Sequence, residues 1–237
     1  MSEKSRFGGL SAAQLRLIAM GLMLLDHLWA TVVPGNLWMT CLGRLAFPIF
    51  AFQIAEGYAH TSDLGRYKKR LLLWALLSEL PFNLMFGSWF YPFHQNVLFT
   101  FLLGLVAIEA VEKGKREEAA LKSWFFSIAV PFGCLALAAV GFVDYSWMGV
   151  ATVLGFHLLR GSKLGQLALL IVLNQFCIEG QGFELLGGAF FLQLQAFAVL
   201  ALPLIWLYNG QKGRGPNVGY WFYPLHMLIL GLAGQFL

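Results

Sequence analysis

All but one of the sixteen Lys and Arg residues in this chain fall beside or between apolar runs, and the basic connections alternate with uncharged or acidic ones. Lys4, Arg6 and Arg16 precede or open the first run. Arg66-Tyr67-Lys68-Lys69-Arg70 forms the next basic connection, followed by residues 113–122, by Arg160 with Lys163, and by Lys212 with Arg214. The connections between these hold no Lys or Arg: Pro34-Gly35-Asn36, residues 87–96, the turn at Asp144, and the acidic turn with Glu179 and Glu184. Such alternation predicts a chain threaded back and forth through a bilayer with its basic loops in the cytoplasm.

A spanning helix needs about 20 apolar residues, and shorter ones are tolerated inside a bundle. Nine runs qualify: residues 17–33, 41–58, 71–90, 97–111, 124–143, 147–159, 164–178, 187–208 and 218–237, the sixth and seventh being short. The expected fold is therefore all-α. It is a polytopic integral membrane protein of about nine transmembrane helices, forming a single domain over residues 1–237 in the cell (inner or plasma) membrane. The N-terminus is expected in the cytoplasm and the C-terminus outside. No cleavable signal peptide is apparent, because the first apolar run leads straight into Asp26-His27.

Composition agrees: 59% of residues are hydrophobic and 12% charged, with mean hydropathy +0.69. The net charge of +4 is carried by short loops, so it reads as a topology signal and excludes a nucleic-acid partner. The many aromatic residues suit interfacial belts, with Trp38, Trp89, Tyr91 and Trp206 as anchors. Cys41, Cys134 and Cys177 do not make a disulfide framework and read as thiols in apolar surroundings, and no Cys/His spacing suggests a metal.

An ionisable side chain within a span costs about 2.5–3.5 kcal/mol on insertion scales, so each one needs a partner or a purpose. At about 1.5 Å rise per residue, Asp26, His27, Arg44, Glu79 and Asn83 collect in the outer half. Asp26 and His27 point about 100° apart around one helix and do not form a pair by themselves. Asp26 is expected to pair with Arg44 across the first two helices. His27 is left to be oriented from another helix, with Glu79 and Asn83, at i and i+4, nearest. Glu56, His60, Glu109, His157, Tyr223 and His226 fall in the inner half, above the basic cluster Arg66 to Arg70. A polar column of this kind suits a ligand with an anionic head and a long arm, such as a coenzyme A thioester. A transporter or ion-coupled carrier would use the same column, and a non-enzymatic partner in pilus or conjugation assembly is a third reading.

Several ordered segments resemble the TraX family: Met20 to His27, Gly43-Arg44-Leu45-Ala46-Phe47-Pro48, Glu56-Gly57-Tyr58-Ala59-His60, Tyr67-Lys68-Lys69-Arg70, Ser78-Glu79-Leu80-Pro81-Phe82-Asn83 and Asn96-Val97-Leu98-Phe99-Thr100. Tyr223-Pro224-Leu225-His226 is a later element of the same kind. The Asp26-His27 and Phe47-Pro48-x-Phe50 patterns also look like the wider transmembrane acyltransferase group. The resemblance implies acetylation of a pilin N-terminus or a related acceptor (a peptide, a sugar or another small molecule), with acetyl-CoA taken from the cytoplasm as co-substrate and no metal. It implies His27 as the catalytic residue, here expected as general base, and depth and spacing add Glu79 and Asn83 to orient it or the acceptor. Lys68, Lys69 and Arg70 would meet the coenzyme phosphates, and Glu56, His60 and His226 would line the path.

Overall fold

Polar caps start four of the helices. The computed structural model describes residues 8–178, 180–215 and 219–234; Lys4, Arg6, Glu179 and the ends of the last apolar run lie outside the described residues. Ser11 caps α1 (Ala12–Thr31) in a reciprocal box: its hydroxyl accepts from Gln14 N, and Ser11 N donates to Gln14 Oε1 at 2.9 Å. After α2 (Leu37–His60), Asp63 caps α3 (Leu64–Met85) and Asn96 caps α4 (Val97–Gly114). The chain continues through α5 (Ala120–Val140), α6 (Ser146–Leu158) and α7 (Lys163–Phe176), the last capped by Ser162. A hairpin of β1 (Gly182–Leu185) and β2 (Phe190–Gln193) leads into α8 (Leu194–Trp206), and α9 (Gly219–Gly234) closes the described chain.

The molecule is thus mostly helical, with a small hairpin that the all-α expectation did not include. Two helices, Leu37–His60 and Ala120–Val140, are long and apolar enough to cross a membrane by length and composition. The eighth apolar run is shorter as a helix than its hydropathy suggested. Residues 187–193 belong to the hairpin, whose strands pair antiparallel with Leu185 opposite Phe190, and Gly187 and Gly188 take positive φ at the turn. Within α2 the helix breaks at Arg44–Leu45. Pro48 lacks the N–H that would bond the Arg44 carbonyl, so the ladder is interrupted there.

The basic connections gather at one end of the bundle. Ala12 N and Ala13 N donate to the carbonyls of Gln211 and Lys212, at 2.9 and 3.0 Å. Arg160 Nε lies 2.9 Å from Glu56 Oε1, Lys68 Nζ 2.5 Å from Glu109 Oε2, and Arg70 Nε donates to the Tyr220 hydroxyl at 3.1 Å. The uncharged connections meet at the other end, where Gln95 N donates to Phe142 O and Asp144 N to Gln95 O, both at 2.8 Å. Among the described residues only Arg44 stands apart from the basic end.

Helix α4 is central. Leu105, Ala107 and Ile108 are fully buried, and a Cβ on Gly104 would meet Val153 Cβ of α6 at 2.7 Å, so glycine sets how closely the two helices approach. On the other side α1 and α9 run parallel. Gly219 lies against the Arg16 side chain at their start, and Gly234 beside the Thr31 carbonyl at their end. This pairing brings two distant histidines together.

Candidate active site

His27 on α1 and His226 on α9 are bonded ring to ring. His27 Nδ1 lies 2.7 Å from His226 Nε2, the ring planes are 9° apart, and the centroids are separated by 4.9 Å. With so short an N···N distance, that geometry is an in-plane hydrogen bond between coplanar rings rather than a face-to-face stack. His226 is buried, and its Nδ1 lies 2.7 Å from the Phe222 carbonyl one turn earlier. The Phe222 ring stacks on the His226 imidazole at 4.6 Å, fixing it from the side. His27 is partly buried, and its own carbonyl accepts from the Thr31 hydroxyl at 2.6 Å. The His–carboxylate contacts of the described residues involve His60, His94 and His157 instead.

A second cluster sits beside this pair. Arg44 Nη2 is 3.6 Å from Asp26 Oδ1, and Thr40 bridges them: its hydroxyl donates to Asp26 Oδ1 at 2.7 Å and accepts from Arg44 Nε and Nη2 at 3.2 and 3.0 Å. Arg44 Nη1 donates to Gln195 Oε1 at 3.3 Å, and Gln195 donates in turn to Asn174 Oδ1 at 3.2 Å. The chain thereby ties α1 and α2 to α7 and α8. Close approach depends on Gly43, because a Cβ there would lie 2.9 Å from Asp26 Cα.

From the basic end a cavity of about 750 Å³ runs into the bundle, within the usual range for ligand pockets. Arg16, Arg70 and Lys212 stand at its mouth, and Met23, Phe101 and Tyr223 lie deeper. Met23 is one turn before His27 on α1, about 6 Å along the axis, and the Tyr223 ring is 5.9 Å from that of His226. The mouth is pre-arranged. The Arg70 guanidinium lies over the Tyr67 and Tyr220 rings at 5.4 and 5.5 Å, and its Nε is held by the Tyr220 hydroxyl. Trp74 stacks on Tyr220, with Trp221 edge-on against Trp74.

The TraX protein family matches residues 11–233. The chain belongs to the TraX family. A Dichelobacter nodosus protein described as "probable fimbrial assembly protein FimC, serogroup H1" is 29% identical over 250 residues, covering 96% of this chain and 97% of the relative. No solved structure matches the chain.

In this TraX-family chain several expected placements need correction. Glu79 does not orient His27: its carboxylate accepts from Asn96 N at 2.9 Å and from the Asn96 side chain, locking the start of α4. Asn83 is buried one turn further along α3. The partner of His27 is His226, expected in the inner half as a residue of the ligand path; neither histidine is among the residues that line the cavity. Lys68 is engaged by Glu109 and Lys69 is exposed, neither lining the cavity, whereas Arg70, Glu56 and His60 do line it. Arg16 and Lys212 also line the cavity, outside the expected set. Nothing in their local sequence marks them as cavity residues, since it is the docking of residues 207–213 on the start of α1 that brings them together.

Proposed function

We propose that the chain is a membrane-embedded acetyltransferase whose basic end faces the cytoplasm. The nine helices of the described residues span the bilayer, with the N-terminus inside and the C-terminus outside. Alternating basic and uncharged connections support that orientation. The observation that carries the catalytic reading is the cavity lined by Arg16, Arg70 and Lys212 that also reaches Met23, one turn before His27 on α1, and Tyr223, whose ring lies 5.9 Å from that of His226. Acetyl-CoA suits this shape. The phosphates meet the three cations, the adenine lies near the Trp74–Tyr220–Trp221 faces, and the pantetheine arm extends inward along α1 for about 16 Å, the rise from Arg16 to His27.

His27 is the general base. The acceptor amine or hydroxyl attacks the thioester carbonyl carbon while His27 Nε2 takes its proton. The tetrahedral intermediate then expels the coenzyme thiolate as the C–S bond breaks, and the protonated His27 returns the proton to sulfur. Asp26, Thr40 and Arg44 hold α1 and α2 in register beside this layer. The relative's description as a fimbrial assembly protein supports an acceptor among pilus or fimbrial subunits.

The test is acetyl transfer from labelled acetyl-CoA by purified protein in nanodiscs to a pilin-type N-terminal peptide. Appearance of acetylated peptide supports the reading. Absence of acyl-CoA binding by calorimetry overturns it.

A further inference from the structure

We propose that His226 is a positioning residue that selects the tautomer of His27. The inference rests on the transferase reading for its consequence, but its geometry stands apart from it. The bond directions follow from what each atom is able to do. The Phe222 carbonyl is an acceptor only, so the 2.7 Å contact requires the proton on His226 Nδ1. In a neutral ring that leaves His226 Nε2 with a lone pair. The 2.7 Å contact to His27 then requires the His27 proton on Nδ1, which leaves His27 Nε2 with a lone pair. One backbone carbonyl thus dictates, through two rings, which nitrogen of His27 is basic.

The arrangement is rigid as well as directional. The Phe222 face lies 4.6 Å from the His226 ring with planes 12° apart, and Tyr223 closes a further side at 5.9 Å. With its lone pair directed away from His226, Nε2 is the base the transfer requires. The opposite tautomer would present an N–H there and no base. An isolated imidazole samples both. Pro224 sits between Phe222 and His226 in α9 and does not remove the carbonyl that anchors the relay, because its own missing bond would go to Tyr220.

Two measurements test this, one of them independent of turnover. In ¹⁵N-histidine-labelled protein in nanodiscs, His27 is expected to show a protonated Nδ1 and an unprotonated Nε2. In His226→Phe the His27 signals should shift toward a tautomer mixture. A protonated Nε2 in the unaltered chain would overturn the proposal. In the transfer assay, His226→Phe should lower kcat on the order of 100-fold while KM for acetyl-CoA stays within about threefold. His226→Gln, whose amide oxygen replaces the Nε2 acceptor, should recover most of the loss. An unchanged kcat in His226→Phe, or no recovery in a folded His226→Gln, would contradict it. If the unaltered chain transfers no acetyl group to any acceptor, the transferase reading fails and the NMR measurement alone decides the tautomer.

Discussion

His27 Nδ1 and His226 Nε2 lie 2.7 Å apart although 199 positions separate them in the chain. Parallel packing of α1 and α9 creates this contact, and the cavity from the basic end reaches Met23, one turn before His27 on α1. The candidate base therefore depends on a helix at the far end of the sequence, and substitutions in α9 should read out in the chemistry of α1.

The cavity mouth predicts a division among neighbouring cations. Arg70→Ala should raise KM for acetyl-CoA on the order of 10-fold with kcat little changed, because it removes binding shared by ground and transition states. Arg70→Lys should recover little, since lysine does not reproduce the planar fork over Tyr67 and Tyr220. Lys69→Ala should leave both constants as they are. Equal effects at Lys69 and Arg70 would mean that only bulk positive charge matters.

The Asp26–Thr40–Arg44 cluster should behave as a coupled unit. Asp26→Asn and Arg44→Met should each destabilise the protein, by about 1–3 kcal/mol, through the partner left behind. Both groups retain partial exposure (24% for Arg44 and 18% for Asp26), which tempers the cost. The double variant should lose less than the sum of the singles. Thermal midpoints in detergent give the cycle, and strict additivity would show that the pair is not coupled.

Gly43→Val should be more damaging than its conservative appearance suggests. The added Cβ meets Asp26 side-chain and backbone atoms, so α2 must move off α1 at a cost of about 1–3 kcal/mol. The thermal midpoint should fall, and the activity should fall with it. A midpoint equal to that of the unaltered chain would contradict the close approach.

His94 gives a pH dependence with a definite sign. Its Nε2 lies 3.6 Å from Asp144 Oδ1 in the connections opposite the basic end, and the nearby Asp144 carboxylate raises its pKa against an opposing effect of burial. Because the folded pKa is the higher one, this stabilisation is fully present below the ordinary histidine value of about 6.5 and is lost as pH rises through the folded pKa. The pair is partly exposed, so the change should stay within about 1 kcal/mol. Thermal scans between pH 5.5 and 8.5, roughly bracketing the histidine range, should show a decline that Asp144→Asn abolishes. A slope that survives in Asp144→Asn would assign it to another group.

Much of the helical order was legible in hydropathy, including the short sixth and seventh segments, because most of the apolar runs are bounded by a charge, a glycine or a polar cap. The hairpin at residues 182–193 was not. Phe183, Leu185, Leu186, Phe190 and Phe191 are as apolar as a helix face, and mean hydropathy does not distinguish strand from helix. Gly187-Gly188 was the local signal of a turn. Depth along each helix singled out His27, Asp26 and Arg44, since insertion costs depend on depth. Lateral neighbours are set by tertiary packing, so neither hydropathy nor depth shows that Glu79 meets Asn96 or that His226 meets His27. Among the cations, Arg70 was recognisable from its cluster, whereas Arg16 and Lys212 acquire meaning only when residues 207–213 fold back on α1.

The most direct test of the central claim is the rate of acetyl transfer from acetyl-CoA by purified chain in nanodiscs, compared with His27→Ala at matched folding and matched acetyl-CoA binding. His27 as general base predicts transfer by the unaltered chain and a loss on the order of 100- to 10,000-fold in the variant. Full activity in a folded His27→Ala would contradict it.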